Sequence, residues 1–245
     1  MRFCVCIKQV PDVNAPVHTG RMVLNAYDAS AVEEALVLRE AHGGEVDLGL
    51  VGPTSASETI RKALAMGADG ATHIVTPDDA ELDSFATATI LAAFFRDRTY
   101  DVIACGKQSQ DTDAGLTGPM LAEMLGRPYA ANAVGLTVDD GSVEVTRQGD
   151  VGQEMLGLRP PCLVTCSNDM NDPRIPSLKG IMAAKKKAIA TTSLAELGVT
   201  DVSSGTRVVR IEDIPDREPG QLLDGAPEEV VPELVRLLRD EAKVI

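Results

Sequence analysis

The strongest candidate for a binding site is a loop from Gly106 to Pro119, with the sequence GKQSQDTDAGLTGP. It follows an apolar run that ends in Ala104-Cys105 and precedes a helical pattern, so it joins a predicted buried strand to a predicted helix. The N-terminus of a helix carries unpaired N–H donors and a partial positive charge, which suit a phosphate group. The loop therefore predicts either a phosphate site or a tight strand-to-helix turn.

Two further loops are expected at the same edge of the sheet. Gly52-Pro53 ends the second predicted strand, and residues 8–11 (Lys-Gln-Val-Pro) end the first. Open parallel sheets bind ligands in the crevice outside the carboxyl ends of their strands. We therefore expect these three loops to face one nucleotide.

The sequence lacks the loops that common nucleotide enzymes use. There is no G-x-x-x-x-G-K-[ST] loop and no G-x-G-x-x-G after the first strand, where the turn reads KQVPD rather than the SGGxDS of ATP pyrophosphatases. These absences count against ATP hydrolysis and against ordinary dinucleotide binding. His18, His42 and His73 stand alone, and Asp111 and Asp113 are interpreted as cap or turn residues, with a metal site as the alternative. No enzyme active site is predicted.

A second unusual segment, residues 172–187, combines two prolines, apolar residues and lysines. Leu178, Ile181 and Met182 are its candidate apolar anchors, and the run Lys185-Lys186-Lys187 follows them. Apolar anchors beside positive charge suit an acidic partner protein. The alternative is a solvated basic turn.

Composition restricts the classes of partner. The formal net charge of −14 counts against nucleic acid, because binding phosphate backbones requires an excess of Lys and Arg. Aromatic residues make up 3% with no Trp, so a flavin stacked between aromatic rings of this chain is not expected. No run approaches the ~20 apolar residues of a membrane span, and a soluble, cytoplasmic protein is expected. An odd number of cysteines in apolar runs predicts reduced, buried thiols at Cys4, Cys6, Cys105, Cys162 and Cys166.

These loops would be positioned by a parallel sheet. Short apolar runs alternate with helical patterns through the first hundred residues, which is typical of βαβ units. The predicted strands are Arg2–Lys8, Val46–Val51, His73–Val75 and Val102–Cys105. The predicted helices are Ala31–Ala41, Glu58–Met66, Phe85–Arg96 and Leu116–Leu125. Their expected caps are S-x-x-E boxes at Ser30/Glu33 and Ser55/Glu58, and Asp83 or Ser84 for the third helix.

After Pro128 the pattern changes to shorter alternating runs. They are Ala133–Val138, Val143–Gln148, Glu154–Leu158 and Cys162–Thr165, with a hairpin turn at residues 139–141. These runs are expected to extend the same sheet in mixed or antiparallel fashion. Little periodicity then follows until an amphipathic helix at Pro227–Ala242.

The predicted fold is a Rossmann-like, three-layer α/β/α arrangement with a mostly parallel sheet. Residues 1–190 are expected to form the nucleotide-binding domain. Residues 191–245 are expected to form a C-terminal extension whose helix packs on a partner subunit.

Five segments together resemble the β subunits of electron-transfer flavoproteins. They occur in the family's order across nearly the whole chain: Cys6–Asp12, Asn25–Asp28 with Ala31–Ala35, Ala63–Asp69, Gly106–Gly118 and Pro176–Lys187. The resemblance implies a heterodimer in which an α subunit holds the redox FAD and this chain binds a nucleotide. That nucleotide is AMP in most members and a second FAD in electron-bifurcating members. The resemblance also implies electron shuttling from acyl-CoA-type dehydrogenases to a downstream oxidoreductase.

The same resemblance implies particular site residues. Carried over by motif, the nucleotide pocket comprises Cys6, Asn25, Val51, Asp113, Ala114, Gly115, Leu116 and Thr117. Leu178 would be the hydrophobic anchor that recognises partner dehydrogenases. Leu116 stands where many members have Gln, and Gly115 where some have Asn, so backbone N–H groups would have to hold the phosphate.

One departure from the family affects the cover of the pocket, since the segment between Pro11 and Asn25 is shorter than usual. The leading prediction remains a non-enzymatic electron-carrier subunit. The alternatives are the β subunit of a bifurcating flavoprotein and, from another class, a stand-alone nucleotide-binding sensor.

Overall fold

The computed structural model describes residues 1–13, 20–200, 202–210, 212 and 219–245. Met1–Arg207 form one compact unit and Val208–Ile245 a second. The predicted division after residue 190, and the packing of the extension on a partner, stay predictions.

A large sheet forms the centre of the first unit. The strands of the described residues are β1 (Arg2–Ile7), β2 (Gln9–Pro11), β3 (Met22–Leu24), β4 (Glu45–Gly52), β5 (Gly70–Val75), β6 (Val102–Gly106), β7 (Tyr129–Asp139), β8 (Ser142–Gln148), β9 (Gln153–Leu158), β10 (Cys162–Cys166) and β11 (Ala190–Ser193). Nine of them form one sheet in the order β11-β5-β4-β1-β6-β10-β7-β8-β9. Neighbours from β11 to β7 are parallel, and β7, β8 and β9 are antiparallel.

The order of the strands reverses between β1 and β6. The chain first adds β4 and β5 on one side of β1 and then returns to place β6 on the other side. Such a reversal leaves a crevice at the carboxyl ends of the two strands, where open α/β sheets bind their ligands. The fold therefore selects the loops after β1 and β6 as the place to look for a site.

Helices cover both faces of the sheet. They are α1 (Ala26–His42), α2 (Ser57–Met66), α3 (Ser84–Phe95), α4 (Thr117–Leu125) and α5 (Leu178–Lys186). A further helix, α6 (Pro227–Arg236), belongs to the second unit. Alternate side chains of β1 enter opposite layers: Phe3, Val5 and Ile7 pack with α1 and α2, whereas Cys4 and Cys6 pack with α3 and α4. The predicted three-layer α/β/α fold is confirmed.

The first helix begins earlier than predicted. Asn25 is its N-cap, so Ser30 lies inside α1, where its hydroxyl donates to the Ala26 carbonyl at 3.4 Å. Glu33 accepts hydrogen bonds from Arg174 rather than from its own helix. The predicted Ser30/Glu33 capping box is therefore wrong, because α1 begins at Ala26, which leaves Ser30 inside the helix, and because Glu33 pairs with a distant cation.

The second helix also begins without a capping box. A 3-10 turn, Thr54–Ala56, precedes α2, and its backbone carbonyls accept from the N–H of Ser57. No side chain caps α2, so the predicted Ser55/Glu58 box is wrong. The Asp83 cap of α3 is confirmed, since its carboxylate accepts from the Ala86 N–H at 2.9 Å.

The predicted hairpin and the predicted thiols are both confirmed. Strands β7 and β8 pair antiparallel across Asp140 and Gly141, which have φ of 44° and 77° as a two-residue hairpin turn requires. All five cysteines are buried and free. No helix among the described residues has both the length and the apolar character needed to cross a membrane.

The second unit contains α6, followed by a π-helical turn at Leu237–Glu241. Pro227 occupies the first turn of α6, and Pro232 lies inside the same helix. None of the residues of α6 is buried. The continuous helix predicted over Pro227–Ala242 is thus divided into two helical forms.

Candidate functional site

The carboxyl ends of β1 and β6 lie side by side at the strand-order reversal. Cys6 of β1 is in register with Cys105 of β6 and, on its other side, with Gly49 of β4. The loops that follow these three parallel strands therefore start at one edge of the sheet. They are the loops that sequence analysis singled out.

A buried carboxylate joins the two strand ends. Asp28, in the first turn of α1, accepts from the backbone N–H of Lys8 at 2.7 Å and from that of Gly106 at 2.9 Å. Burial raises the pKa of Asp28 to about 7, although these hydrogen bonds act in the opposite direction. A Cβ at Gly106 would overlap the Asp28 carboxylate and lie 2.7 Å from Tyr27 Cβ, so glycine is required there. Sequence analysis missed this role of Asp28.

Asn25 holds the loop that follows β6. Its Nδ2 donates to the Gln108 carbonyl at 2.8 Å, and its Oδ1 accepts from the Gln110 N–H at 3.2 Å. Gln110 Oε1 in turn accepts from the Ala26 N–H at 3.2 Å. Asn25 is buried, and its side chain clamps the loop to the start of α1.

Lys8 binds the same loop from the β1 side. Its Nζ lies 2.9 and 2.8 Å from the two carboxylate oxygens of Asp111 and 3.3 Å from Ser109 Oγ. Partial burial acts to raise the pKa of Asp111, but the hydrogen bonds from Lys8 and Ser109 outweigh it, and the pKa lies below its ordinary value. The loop is therefore attached at two points to the elements around the strand-order reversal.

The loop leads into the N-terminus of α4. Asp113 has a φ of 51°, and its carboxylate accepts from Gln108 Nε2 at 2.7 Å. Leu116 is the N-cap of α4, and no side chain caps the helix. Residues 113–116 are exposed and Thr117 is half-buried. An uncapped helix N-terminus beside the strand-order reversal fits an anion, because its N–H donors and the helix dipole favour negative charge.

Close packing sets the position of this helix. A Cβ at Gly118 would overlap Thr165 Cγ2, so the first turn of α4 lies directly on β10. Cys6 and Val51 belong to the core beneath α3 and α4, and thus lie on the same face of the sheet as α4. Asn25 lies at the start of α1, on the opposite face. The predicted pocket residues therefore surround one edge, and their contacts with a nucleotide stay a prediction.

The segment predicted as a docking anchor forms the helix α5 rather than a turn. Ser177 caps it, accepting from the Gly180 N–H at 3.1 Å. Its apolar side chains are open to solvent, with Leu178 77%, Met182 51% and Ile181 40% exposed. Arg61 holds the other end, where its Nη1 donates to the Ala184 carbonyl at 2.6 Å and to the Lys187 carbonyl at 2.7 Å.

Arg174 fastens the segment before α5 to α1. Its Nε and Nη2 donate to the Glu33 carboxylate at 2.8 and 2.9 Å, and its Nη1 donates to Glu40 at 2.6 Å. These two glutamates hold the pKa of Arg174 above its ordinary value. Asn171 adds a bond from its Nδ2 to Glu34 at 3.0 Å. Hydrogen bonds and ion pairs to α1 and α2 therefore hold α5 in place, while its apolar face stays exposed.

A methyl group at Gly180 should displace α5. Its Cβ would lie 2.5 Å from the Ala65 carbonyl oxygen, which is backbone and cannot rotate away. We expect Gly180→Ala to lower the free energy of unfolding by about 1–3 kcal/mol, the usual cost of overpacking. Urea unfolding followed by circular dichroism measures this change. Gly152→Ala is the matched control, because no atom lies within 4 Å of its Cβ; equal losses in both variants would contradict the packing argument.

Other candidate residues have local partners. His73 Nε2 shares a hydrogen bond with the Gly52 carbonyl at 3.1 Å and is buried. His42 is the last residue of α1, and His18 lies outside the described residues. In the part of the chain that the structure describes, no group of three or more His, Cys, Asp or Glu could hold a metal ion.

Comparisons with known proteins agree on one family. Residues 16–197 match the family model for the electron transfer flavoprotein domain. The chain is 38% identical over 257 residues to the electron transfer flavoprotein subunit beta of Bacillus subtilis, covering 100% of both chains. It is 36% identical over 246 residues to the Sus scrofa protein of the same name, covering 99% of this chain and 94% of the other. It is also 34% identical over 259 residues to the caffeyl-CoA reductase-Etf complex subunit CarD of Acetobacterium woodii, covering 98% and 99%.

Proposed function

This chain belongs to the family of electron transfer flavoprotein beta subunits, and on that premise we propose that it binds the phosphate of AMP at the N-terminus of α4. In the proposed assembly it forms a heterodimer with an alpha subunit that carries FAD. The observation that carries the nucleotide proposal is the uncapped first turn of α4, held beside the reversal of strand order by the loop from Gly106 to Leu116.

The charges of the loop are compatible with a phosphate. Asp111 and Asp113 would repel it, but Asp111 is paired with Lys8 and Asp113 accepts from Gln108. Gly115 and Leu116 have no polar side chain, so the backbone N–H groups of residues 115–118 supply the donors. Cys6, Asn25 and Val51 complete the proposed pocket.

Electron transfer in this assembly depends on the FAD of the alpha subunit, which supplies the redox chemistry. This chain contributes the nucleotide site and the apolar surface of α5, formed by Leu178, Ile181 and Met182 and flanked by Lys185 and Lys186. An exposed apolar anchor with a charged rim is the usual form of a protein-docking surface. The proposed partners are acyl-CoA-type dehydrogenases and a downstream oxidoreductase.

A second candidate is a bifurcating beta subunit that holds FAD in place of AMP. The similarity to CarD, a subunit of a caffeyl-CoA reductase-Etf complex, is the observation that favours it. Both candidates use the same edge of the sheet.

Counting cofactors distinguishes these candidates. The chain is co-expressed with an electron transfer flavoprotein alpha subunit from the same genome, and the purified complex is denatured to release its nucleotides for chromatography. One FAD and one AMP per heterodimer support the proposal, and two FAD without AMP support the bifurcating subunit. A stable colourless monomer that does not bind the alpha subunit would contradict both candidate beta subunits and would favour a stand-alone nucleotide sensor.

A carboxylate at the start of α4 should expel the phosphate. In Thr117→Glu the new side chain would occupy the N–H donors and repel a phosphate dianion. Loss of charged hydrogen bonds at about 1.5–3 kcal/mol each predicts a fall in AMP affinity of at least about tenfold. The AMP content of the purified complex measures this.

The matched control makes the same substitution at the opposite edge of the sheet. Thr99 is exposed and precedes β6, so Thr99→Glu should leave the AMP content unchanged. Unchanged AMP in Thr117→Glu would refute the placement of the phosphate at α4.

A further inference from the structure

Lys8 follows β1 and binds the loop of the proposed nucleotide site, and neither the family resemblance nor the comparisons assign it a role. Its ammonium contacts both oxygens of Asp111, at 2.9 and 2.8 Å, and the hydroxyl of Ser109. The two contact residues belong to the loop that leads to the N-terminus of α4. Lys8 therefore links the end of β1 to the segment that must position the phosphate donors.

The backbone of Lys8 is fixed independently of its side chain. Its N–H donates to Asp28, and its carbonyl accepts from the Asn25 N–H at 3.1 Å. The side chain keeps 44% of its surface exposed, while that of Asp111 keeps 21%. The ammonium is thus held beside Asp111, while the side chain as a whole stays partly open to solvent.

Charge makes this arrangement necessary. The chain carries a net charge of −14, and the loop itself contains Asp111 and Asp113. A phosphate dianion at α4 would meet repulsion from an unpaired Asp111 in a partly buried setting, where charge interactions are weakly screened. Lys8 removes that repulsion.

We propose that Lys8 is the charge-compensating positioning residue of the nucleotide site, and that it makes binding selective for the phosphorylated ligand. The proposal deepens the nucleotide function proposed above and rests on it. A residue that only ties down the loop would support phosphorylated and unphosphorylated ligands equally.

The test compares AMP with adenosine on the nucleotide-depleted heterodimer, by calorimetric titration. Lys8→Met keeps the backbone contacts and the length of the side chain but removes the charge. We expect it to weaken AMP binding by at least about tenfold and adenosine binding by less than about threefold. In the double variant Lys8→Met with Asp111→Asn, AMP affinity should return to within about threefold of the unaltered complex, because the uncompensated carboxylate is gone.

The contrary results are equally specific. Equal losses for AMP and adenosine would show that Lys8 acts only through the shape of the loop. No recovery in the double variant would show that repulsion by Asp111 is not what Lys8 offsets. Either result would overturn the proposal. If Thr117→Glu abolishes AMP binding while Lys8→Met leaves it intact, the phosphate site at α4 is supported and the proposed role of Lys8 is refuted. If neither substitution matters, both proposals fail. Where the complex holds FAD in this chain, FAD and riboflavin form the corresponding pair of ligands.

Discussion

Replacing Asp28 with alanine is expected to lower the free energy of unfolding by about 2–6 kcal/mol, because two partly buried donors would each lose a partner at about 1–3 kcal/mol. Those donors are the N–H groups of Lys8 and Gly106, at the ends of β1 and β6. The same substitution should reduce the bound nucleotide, since the loop after Gly106 would lose its fixed origin.

Urea unfolding followed by far-ultraviolet circular dichroism measures the loss, with variant and unaltered protein in the same assembly state. Asp150→Ala is the control, because Asp150 is an exposed aspartate. If Asp28→Ala lowers the free energy of unfolding no more than Asp150→Ala does, then water replaces the carboxylate and Asp28 does not fix the strand ends.

The ionisation of Asp28 adds a pH dependence of defined sign. Burial raises its pKa to about 7, whereas an aspartate of the unfolded chain titrates near about 4. Between these values the folded state holds a proton that the unfolded state has released, so the contribution of Asp28 to stability falls as the pH rises from about 4 to about 7, by at most about 1.4 kcal/mol per pH unit. Asp28→Asn cannot titrate at this position, and the stability difference between it and the unaltered protein should shrink over this range. A difference independent of pH would contradict the raised pKa.

The second large effect is expected at Arg174. Removing its guanidinium in Arg174→Met would leave the Glu33 carboxylate, whose side chain is 10% exposed, without its partner. Breaking a buried ion pair costs about 3–5 kcal/mol. Because the Arg174 side chain is 32% exposed, we expect the lower end, about 3 kcal/mol.

A matched ion pair provides the control. Arg236 makes a similar two-point contact with Glu233, with Nη2 to Oε1 at 2.7 Å, but both groups are on the surface. Arg236→Met should therefore leave urea unfolding unchanged, since exposed pairs contribute little. The free energy of unfolding of both variants is compared under one set of conditions. Similar values for the two would mean that solvent reaches Glu33 and that the segment before α5 is not fastened by Arg174.

Several parts of the fold were readable from local patterns. The alternating apolar runs predicted β1, β4, β5 and β6 as parallel strands, and parallel strands place the loops after Ile7, Gly52 and Gly106 at one edge whatever the side chains do. Asp83 was recognisable as a cap because its partner, the N–H of Ala86, lies three residues away. Such features depend on neighbours in sequence, and so they appear in a single sequence.

Other parts depend on contacts across long stretches of chain. Asp28 reaches Gly106 across 78 residues, Lys8 reaches Asp111 across 103, and Arg174 reaches Glu33 across 141. Glu33 also shows how such contacts mislead, because it completes a capping motif with Ser30 yet binds Arg174. No local pattern distinguishes a carboxylate that caps its own helix from one that pairs with a distant cation.

The candidate site likewise has features that depend on neighbours in sequence and features that depend on distant contacts. The sequence alone determined that a loop from Gly106 to Pro119 would join a buried strand to a helix at the carboxyl edge of a parallel sheet, since periodicity and glycine placement are local properties. Only the tertiary structure decided that Asp28, Asn25 and Lys8 hold this loop in position. The reason is physical: a helix N-terminus attracts an anion by its backbone alone, but its position and surrounding charge are set by side chains that folding brings together.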